Sequence, residues 1–406
     1  MRIILLPVLF GCLTFPYHAT AQEWKNECVG YYQLQLPDNI EVALYPVKDF
    51  VEPKTRPETR DGILVSRYAD VGVTFDETYE RPQRSAIQAQ FSEFYYGNYE
   101  LGISSESNVQ IDFTAYQKRE KESIDFGNNV DRQYEAQDFK RFNKSMTPQD
   151  EFDRKHGYIL KNYLNAFSLY ENRGYTLYVN EGGRLYHFWS KYKKDTGDKS
   201  QTAEKQVRDS EPEVLSLLNR FRPRKLYEVP AEQGFCMPYG FIAGDSGHEP
   251  RNMGVTYRLK DHPDVTIFFQ DFGMNGEILN DKDSVKDAVT RMWNNDYLMG
   301  ASKKELQPPK WQHIKMDGRD GMGTFVKATY SNVPVYDYNG HVAERLNYIN
   351  YGYLAYIRGD KENRNNEPDL ILYVSQSARQ AKGKPPMGKD ELKKMAEHIV
   401  GSVKKR

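Results

Sequence analysis

Short runs in which apolar and polar residues alternate dominate this chain, and long helical periodicities are few. Tyr31-Tyr32-Gln33-Leu34-Gln35-Leu36-Pro37 and Ile40-Glu41-Val42-Ala43-Leu44-Tyr45 flank a Pro-Asp-Asn turn and predict a hairpin. Residues 175–179 and 185–189, joined through Asn180-Glu181-Gly182-Gly183, predict a second. Between them, Thr147-Pro148-Gln149-Asp150 reads as the start of a helix running to about Tyr170, with Tyr158, Ile159, Tyr163, Leu164 and Phe167 at helical spacing. The mixed-charge stretch from Lys191 to Glu204 reads as a solvated loop. It leads into a second helix that ends at Leu218 and is closed by Arg222-Pro223-Arg224.

The pattern then starts again. Strands are predicted over 253–259 and 264–270, joined by a Lys-Asp-His-Pro turn, and over 323–330, 351–357 and 370–374. A helix over 283–294 turns Val285, Val289 and Met292 inward, and a final helix over 389–404 does the same with Leu392, Met395, Ile399 and Val403. Strand mostly follows strand without an intervening helix, so the sheets should be antiparallel. The expected class is α+β: an N-terminal domain over 22–224 and a C-terminal domain over 225–406, each a mainly antiparallel sheet with a few flanking helices. Each half opens near a cysteine and closes with a helix, a weak hint of duplication.

The first residues change the compartment. Arg2, the apolar run Ile3-Ile4-Leu5-Leu6-Pro7-Val8-Leu9-Phe10 and then Ala19-Thr20-Ala21 read as a secretory signal over 1–21, too short to span a bilayer. Leu9-Phe10-Gly11-Cys12 also has the form of a lipobox, in which Cys12 would carry lipid. Phe10 fits that pattern poorly, and cleavage after Ala21 is the preferred reading. Either way the chain is exported, with the periplasm as its expected location. Beyond the signal, no stretch reaches the roughly 18 to 20 apolar residues of a membrane helix.

Composition narrows the partner class. With 56 Lys plus Arg against 57 Asp plus Glu in 406 residues, the chain lacks the basic footprint of a nucleic-acid binder. Its 30 tyrosines are unusual, and they suit strands, cores and binding surfaces alike. Export leaves Cys28 and Cys236 as an even pair in an oxidising compartment. Two buried thiols and a bridge closing some 200 residues both remain open.

The candidate chemistry is mostly negative. Ala243-Gly244-Asp245-Ser246-Gly247-His248 approaches the surroundings of a serine-protease nucleophile but departs from them at His248, and reads better as a turn. There is no G-x-S-x-G elbow. His156, His187, His248, His262, His313, His341 and His398 are scattered without metal-ligand spacing. Asp317-Gly318-Arg319-Asp320-Gly321-Met322-Gly323 lacks the order and the following helix of a phosphate loop. Arg358-Gly359-Asp360 lies at a polar hairpin tip. Asp281, Asp283 and Asp287 fit a helix start better than a calcium loop. From these residues no catalytic, metal or cofactor site is expected.

Two motifs carry a resemblance. Cys28-Val29-Gly30-Tyr31-Tyr32-Gln33-Leu34-Gln35-Leu36-Pro37, directly after the signal, resembles the opening of the Tli4-type immunity proteins of bacterial type VI secretion. Val229-Pro230 followed by Gly234-Phe235-Cys236 resembles the start of that family's C-terminal domain. Tyr31 stands where the family commonly has arginine, which puts any role of that arginine in doubt here. The resemblance implies a two-domain periplasmic protein, not an enzyme, that binds a cognate phospholipase effector and occludes its lipid entrance. It leaves the partner-binding residues unknown. The alternatives from the residues alone are an exported carbohydrate- or cell-wall-binding protein and an enzyme with an unrecognised carboxylate site.

Overall fold

The structure, a computed structural model, describes residues 23–47, 59–60, 63–64, 73–75, 92–107, 111–172, 174–190, 202–274, 283–295, 298, 300–336, 340–381 and 383–406. The signal over 1–21, Cys12, residues 191–201 of the charged loop and Asp281 lie outside the described residues.

The chain begins with β1 (Trp24–Val29), β2 (Tyr32–Pro37) and β3 (Ile40–Val42), followed by the short pair β4 (Thr59–Arg60) and β5 (Ile63–Leu64), then β6 (Glu93–Tyr96) and β7 (Tyr99–Ile103). Helices α1 (Phe113–Phe142) and α2 (Gln149–His156) precede β8 (Tyr158–Asn162), β9 (Ala166–Glu171), β10 (Gly174–Glu181) and β11 (Arg184–Ser190). Helix α3 (Ala203–Arg220) leads to β12 (Phe221–Pro223), β13 (Gly234–Met237), β14 (Gly240–Ala243), β15 (Arg251–Leu259) and β16 (Val265–Phe272). After α4 (Val285–Asn295) come β17 (Lys303–Leu306), β18 (Gln312–Met316), β19 (Arg319–Tyr336), β20 (Val342–Ile357) and β21 (Asp369–Gln376), then α5 (Lys389–Ser402) and β22 (Lys404–Lys405).

One 14-stranded sheet forms the frame, in the order β17-β19-β20-β21-β16-β15-β6-β7-β11-β10-β9-β8, with β18 on β19 and β3 on β15. Every pairing between its strands is antiparallel, which bears out the expected class. Strand β15 receives β3 and β6 from the first half of the chain, so backbone hydrogen bonds run through the sheet across residue 225. The largest apolar cluster also joins both halves, packing Leu34, Tyr96 and Phe188 with Phe235, Phe269 and Ile399.

Local chemistry explains several elements. The β10–β11 hairpin closes through Gly182 and Gly183, whose φ of 59° and 72° suit glycine. Ser284 and Asp287 hydrogen-bond reciprocally at the start of α4, which buries Val289, Met292 and Trp293. Helix α5 buries Leu392, Met395 and Ile399.

Three expectations are overturned. The helix proposed from Thr147 to about Tyr170 ends at His156, because Gly157 is extended and the aromatic and branched residues after it pair as β8 with β9. Leu164, expected inward, is fully exposed in the turn between them. The first predicted hairpin also fails: β2 pairs with β1 and β22, whereas β3 joins β15 in another sheet. Finally, the 30-residue α1 was not foreseen. Asp112 caps it, accepting from the Thr114 and Ala115 N–H groups, and Asn143 ends it at φ 52°. Only Tyr116 is buried along its length, so no apolar stripe marks it in the sequence.

One buried group predicts a pH response. His187 stacks on Tyr178, its Nε2 is enclosed without a hydrogen-bond partner, and burial pushes its pKa down to about 4. The unfolded chain then binds a proton below about pH 6.5 that the native state refuses. Stability contributed by neutral His187 is therefore present above that pH and is lost as pH falls towards 4, by up to about 1.4 kcal/mol per unit. Urea titrations between pH 7 and pH 4.5 should show the decline, flattened in His187→Phe; identical slopes for both proteins would refute it.

Candidate protein-binding site

The two sequence motifs meet. Gly30 donates to the Cys236 carbonyl at 2.8 Å and Cys236 returns a bond to Gly30 at 2.9 Å, while Cys28 and Cys236 are joined in a disulfide with their Cα atoms 5.8 Å apart. Gly30 has φ 59°, and a Cβ there would stand 2.3 Å from Asp271 Oδ2. The glycine of the first motif thus lets the backbone close on a buried carboxylate.

Two buried ion pairs flank this seam. Arg224 reaches Glu27 at 2.5 Å and also donates to the Cys28, Met237 and Gly240 carbonyls. Arg251 holds Asp271 at 2.8 Å with both side chains fully buried, and Asp271 also accepts the Tyr31 N–H. The Tyr31 ring lies 4.7 Å from the Arg251 guanidinium, and its hydroxyl donates to Asp245 at 2.7 Å. Burial, then that hydrogen bond, pushes the Tyr31 hydroxyl far above its ordinary range. Tyr31 is thereby a structural residue, and so is Asp245, which also accepts from Tyr96.

The remaining motifs resolve in the same way. The Ser246 hydroxyl donates to Glu249, so the serine-protease likeness has no geometric counterpart. Asp317 and Gly318 form a positive-φ turn between β18 and β19. The loop after Arg358-Gly359 folds back, with the Gly359 N–H and Arg364 both on Asp369. Asp283 pairs with Arg291 on α4. Among the described residues, no three His, Cys, Asp or Glu side chains converge as metal ligands.

Most of the tyrosine is spent on packing. Tyr178, Tyr186, Tyr257, Tyr353 and Tyr373 are all buried in or beside the sheet. Among the described residues, the exposed tyrosines are Tyr134 on α1, 50% exposed, and Tyr336 on β19, 61% exposed. Tyr336 marks a distinct element. Strand β17 covers β19 only over 326–329, and β21 covers β20 only over 352–357. From Tyr330 to Tyr336 and from Val342 to Tyr351, β19 and β20 pair with no other strand among the described residues and form a two-stranded arm. A register shift at Asn332, whose φ is 55°, and another before Tyr336 twist it. Tyr336 lies opposite Val342 in register, both exposed, with the Glu344–Arg379 ion pair at 2.6 Å alongside. Aromatic and aliphatic anchors ringed by charge are the make-up of a protein contact. Sequence reasoning missed this arm because the residues that expose it are ordinary strand formers.

The fold resembles that of a solved immunity protein, and the second half of the chain matches a family of immunity-protein domains. Residues 228–406 match the family of the Tle cognate immunity protein 4 C-terminal domain. The apo structure of the type VI secretion immunity protein TplEi from Pseudomonas aeruginosa is similar at 16% identity and TM-score 0.50, covering 94% of this chain and 97% of that one. TplEi complexed with "L" peptide (15% identity, TM-score 0.48, 94% and 98% coverage) and the Tle4-Tli4 complex (15%, 0.49, 94% and 97%) also match. No curated protein matches the chain.

Proposed function

We propose that this protein is exported to the periplasm, by cleavage after Ala21 or as a lipoprotein through Cys12, and there binds a cognate type VI phospholipase effector. The match of residues 228–406 to the Tle cognate immunity proteins carries this reading. Protection works by occlusion: a lipase must present an apolar entrance to lipid, and a rigid partner seated over it removes access without chemistry of its own. The two domains, 22–224 and 225–406, grip the enzyme as one body. The disulfide and the buried ion pairs stiffen that body, so little ordering is needed on binding.

The test is reconstitution. Purified effector and this protein should form a stable complex, phospholipase activity should fall with its addition, and cells exporting the effector to their periplasm should survive only with it present. Absence of both complex and protection would reject the reading. Within it, the β19–β20 arm supplies an anchor: Tyr336→Ala should weaken the complex roughly tenfold, about 1.4 kcal/mol, without changing thermal stability. Calorimetry with an unchanged Kd would remove the arm from the interface and leave the immunity reading standing.

A further inference from the structure

Helix α1 reaches beyond the body of the protein. Among the described residues, its side-chain hydrogen bonds to the sheet and α2 fall in its first two-thirds, where Gln117 meets Asn162, Glu120 accepts from Tyr178, Asp125 accepts from Tyr158 and Asn128 donates to the His156 carbonyl. Arg132 and Glu135 then bind the returning chain at Thr147 and Gln149. Past Glu135 the helix continues to Phe142, roughly 10 Å at 1.5 Å per residue, and the chain turns back through the left-handed Asn143.

This tip carries a composition unlike the rest of the surface. Phe139 is 48% exposed and Phe142 63%, with Met146 exposed beside them. Lys140 and Arg141 are exposed and have no partner among the described residues, and Lys144 pairs with Asp138 at 3.0 Å while lying 5.5 Å from the Phe142 ring centre. Three cations and one carboxylate thus occupy residues 136–146, in a chain whose overall charge is -1. The acids of α2, Asp150 and Glu151, lie beyond Thr147 and Gln149, where the returning chain meets Arg132 and Glu135. The cations complement the helix C-terminus, but that leaves the two exposed phenylalanines without a reason. Aromatic side chains and unpaired cations together at a projecting point match the interface of an anionic bilayer. There the rings enter the headgroup boundary and the cations stay with the lipid charge.

We propose that the α1 tip, Phe139, Lys140, Arg141, Phe142, Lys144 and Met146, is a docking point for an anionic lipid surface. The contact is weak and reversible, since it has two aromatic anchors and about three charges, and it orients the protein on the membrane. It does not rest on the immunity reading, because it is defined without an effector.

Flotation of the mature chain with vesicles of phosphatidylethanolamine and phosphatidylglycerol at 7:3 tests it. Binding should be seen at low salt, fall in 0.5 M salt and be absent with phosphatidylcholine alone. K140Q/R141Q and F139S/F142S should each lower the partition coefficient roughly tenfold or more, with native circular dichroism, the charge variant losing only the small helix-end contribution to its unfolding midpoint. Failure of the wild-type chain to float, or equal flotation of all three proteins, overturns the proposal. Loss of effector affinity in both variants without any vesicle binding would assign the tip to the protein partner instead. Concentration-dependent dimers that the variants abolish, with no vesicle binding, would assign it to a second copy; both results overturn the lipid reading. Effector affinity measured in lipid-free solution separates this outcome from failure of the immunity function itself.

Discussion

Asp271→Ala is expected to destabilise the protein by about 3–5 kcal/mol, a large part of the roughly 5–15 kcal/mol typical of a folded domain. Asp271 and Arg251 are both fully buried, 2.8 Å apart. Removing the carboxylate strands a guanidinium whose Nη2 already lacks a partner, and it deprives the Tyr31 N–H of its acceptor. The penalty comes from the uncompensated charge, so Arg251→Met with Asp271→Leu should recover a large part of it. Urea unfolding of the single and double variants measures both effects. A cost below about 1 kcal/mol for the single change would show that water or another group reaches Arg251.

The second large effect concerns the disulfide. Cys28 and Cys236 are 208 positions apart, and in the chain-entropy account a closed loop of that length stabilises by about 5 kcal/mol. C28A/C236A should therefore lose between about 2 and 5 kcal/mol, visible as a lower unfolding midpoint. Because both sulfurs are joined in the bridge, alkylation without reductant should leave the mature protein unmodified both native and denatured. Addition of two alkyl groups to the denatured, unreduced chain would show free thiols and sink the prediction.

The comparison of pattern with structure turns on a few elements. Alternation located β10, β11, β15, β16 and β21, because these strands lie in a packed sheet and each residue's neighbours are set by its own period of two. The same rule misled at 158–170, where a stop glycine and branched residues outweighed a helical spacing that occurs by chance in any apolar-rich stretch. Helix α1 escaped notice because a helix with one buried residue has no periodic apolar face to detect. Its stability comes from Glu, Lys, Gln, Arg and Ala propensities and a good cap.

The candidate surfaces were less legible still. Tyr336 and Tyr134 differ from the buried tyrosines by nothing in their local sequence. What distinguishes Tyr336 is that β17 and β21 stop short of the end of β19 and β20. What exposes Phe139 and Phe142 is that β8, α2 and the chain at Thr147 support α1 only as far as Glu135.

By itself the sequence determined the class of fold, the strands that repeat with period two, the helices with an apolar face and the two short motifs that resemble the Tli4 type. These are properties of neighbours along the chain. Tertiary structure alone decided that the motifs close on each other around Cys28 and Cys236, that Arg251 and Arg224 find carboxylates from distant strands, and which of the described tyrosines face solvent. Those outcomes depend on pairings across as many as 200 residues, and a local pattern carries no information about which strand will lie beside which.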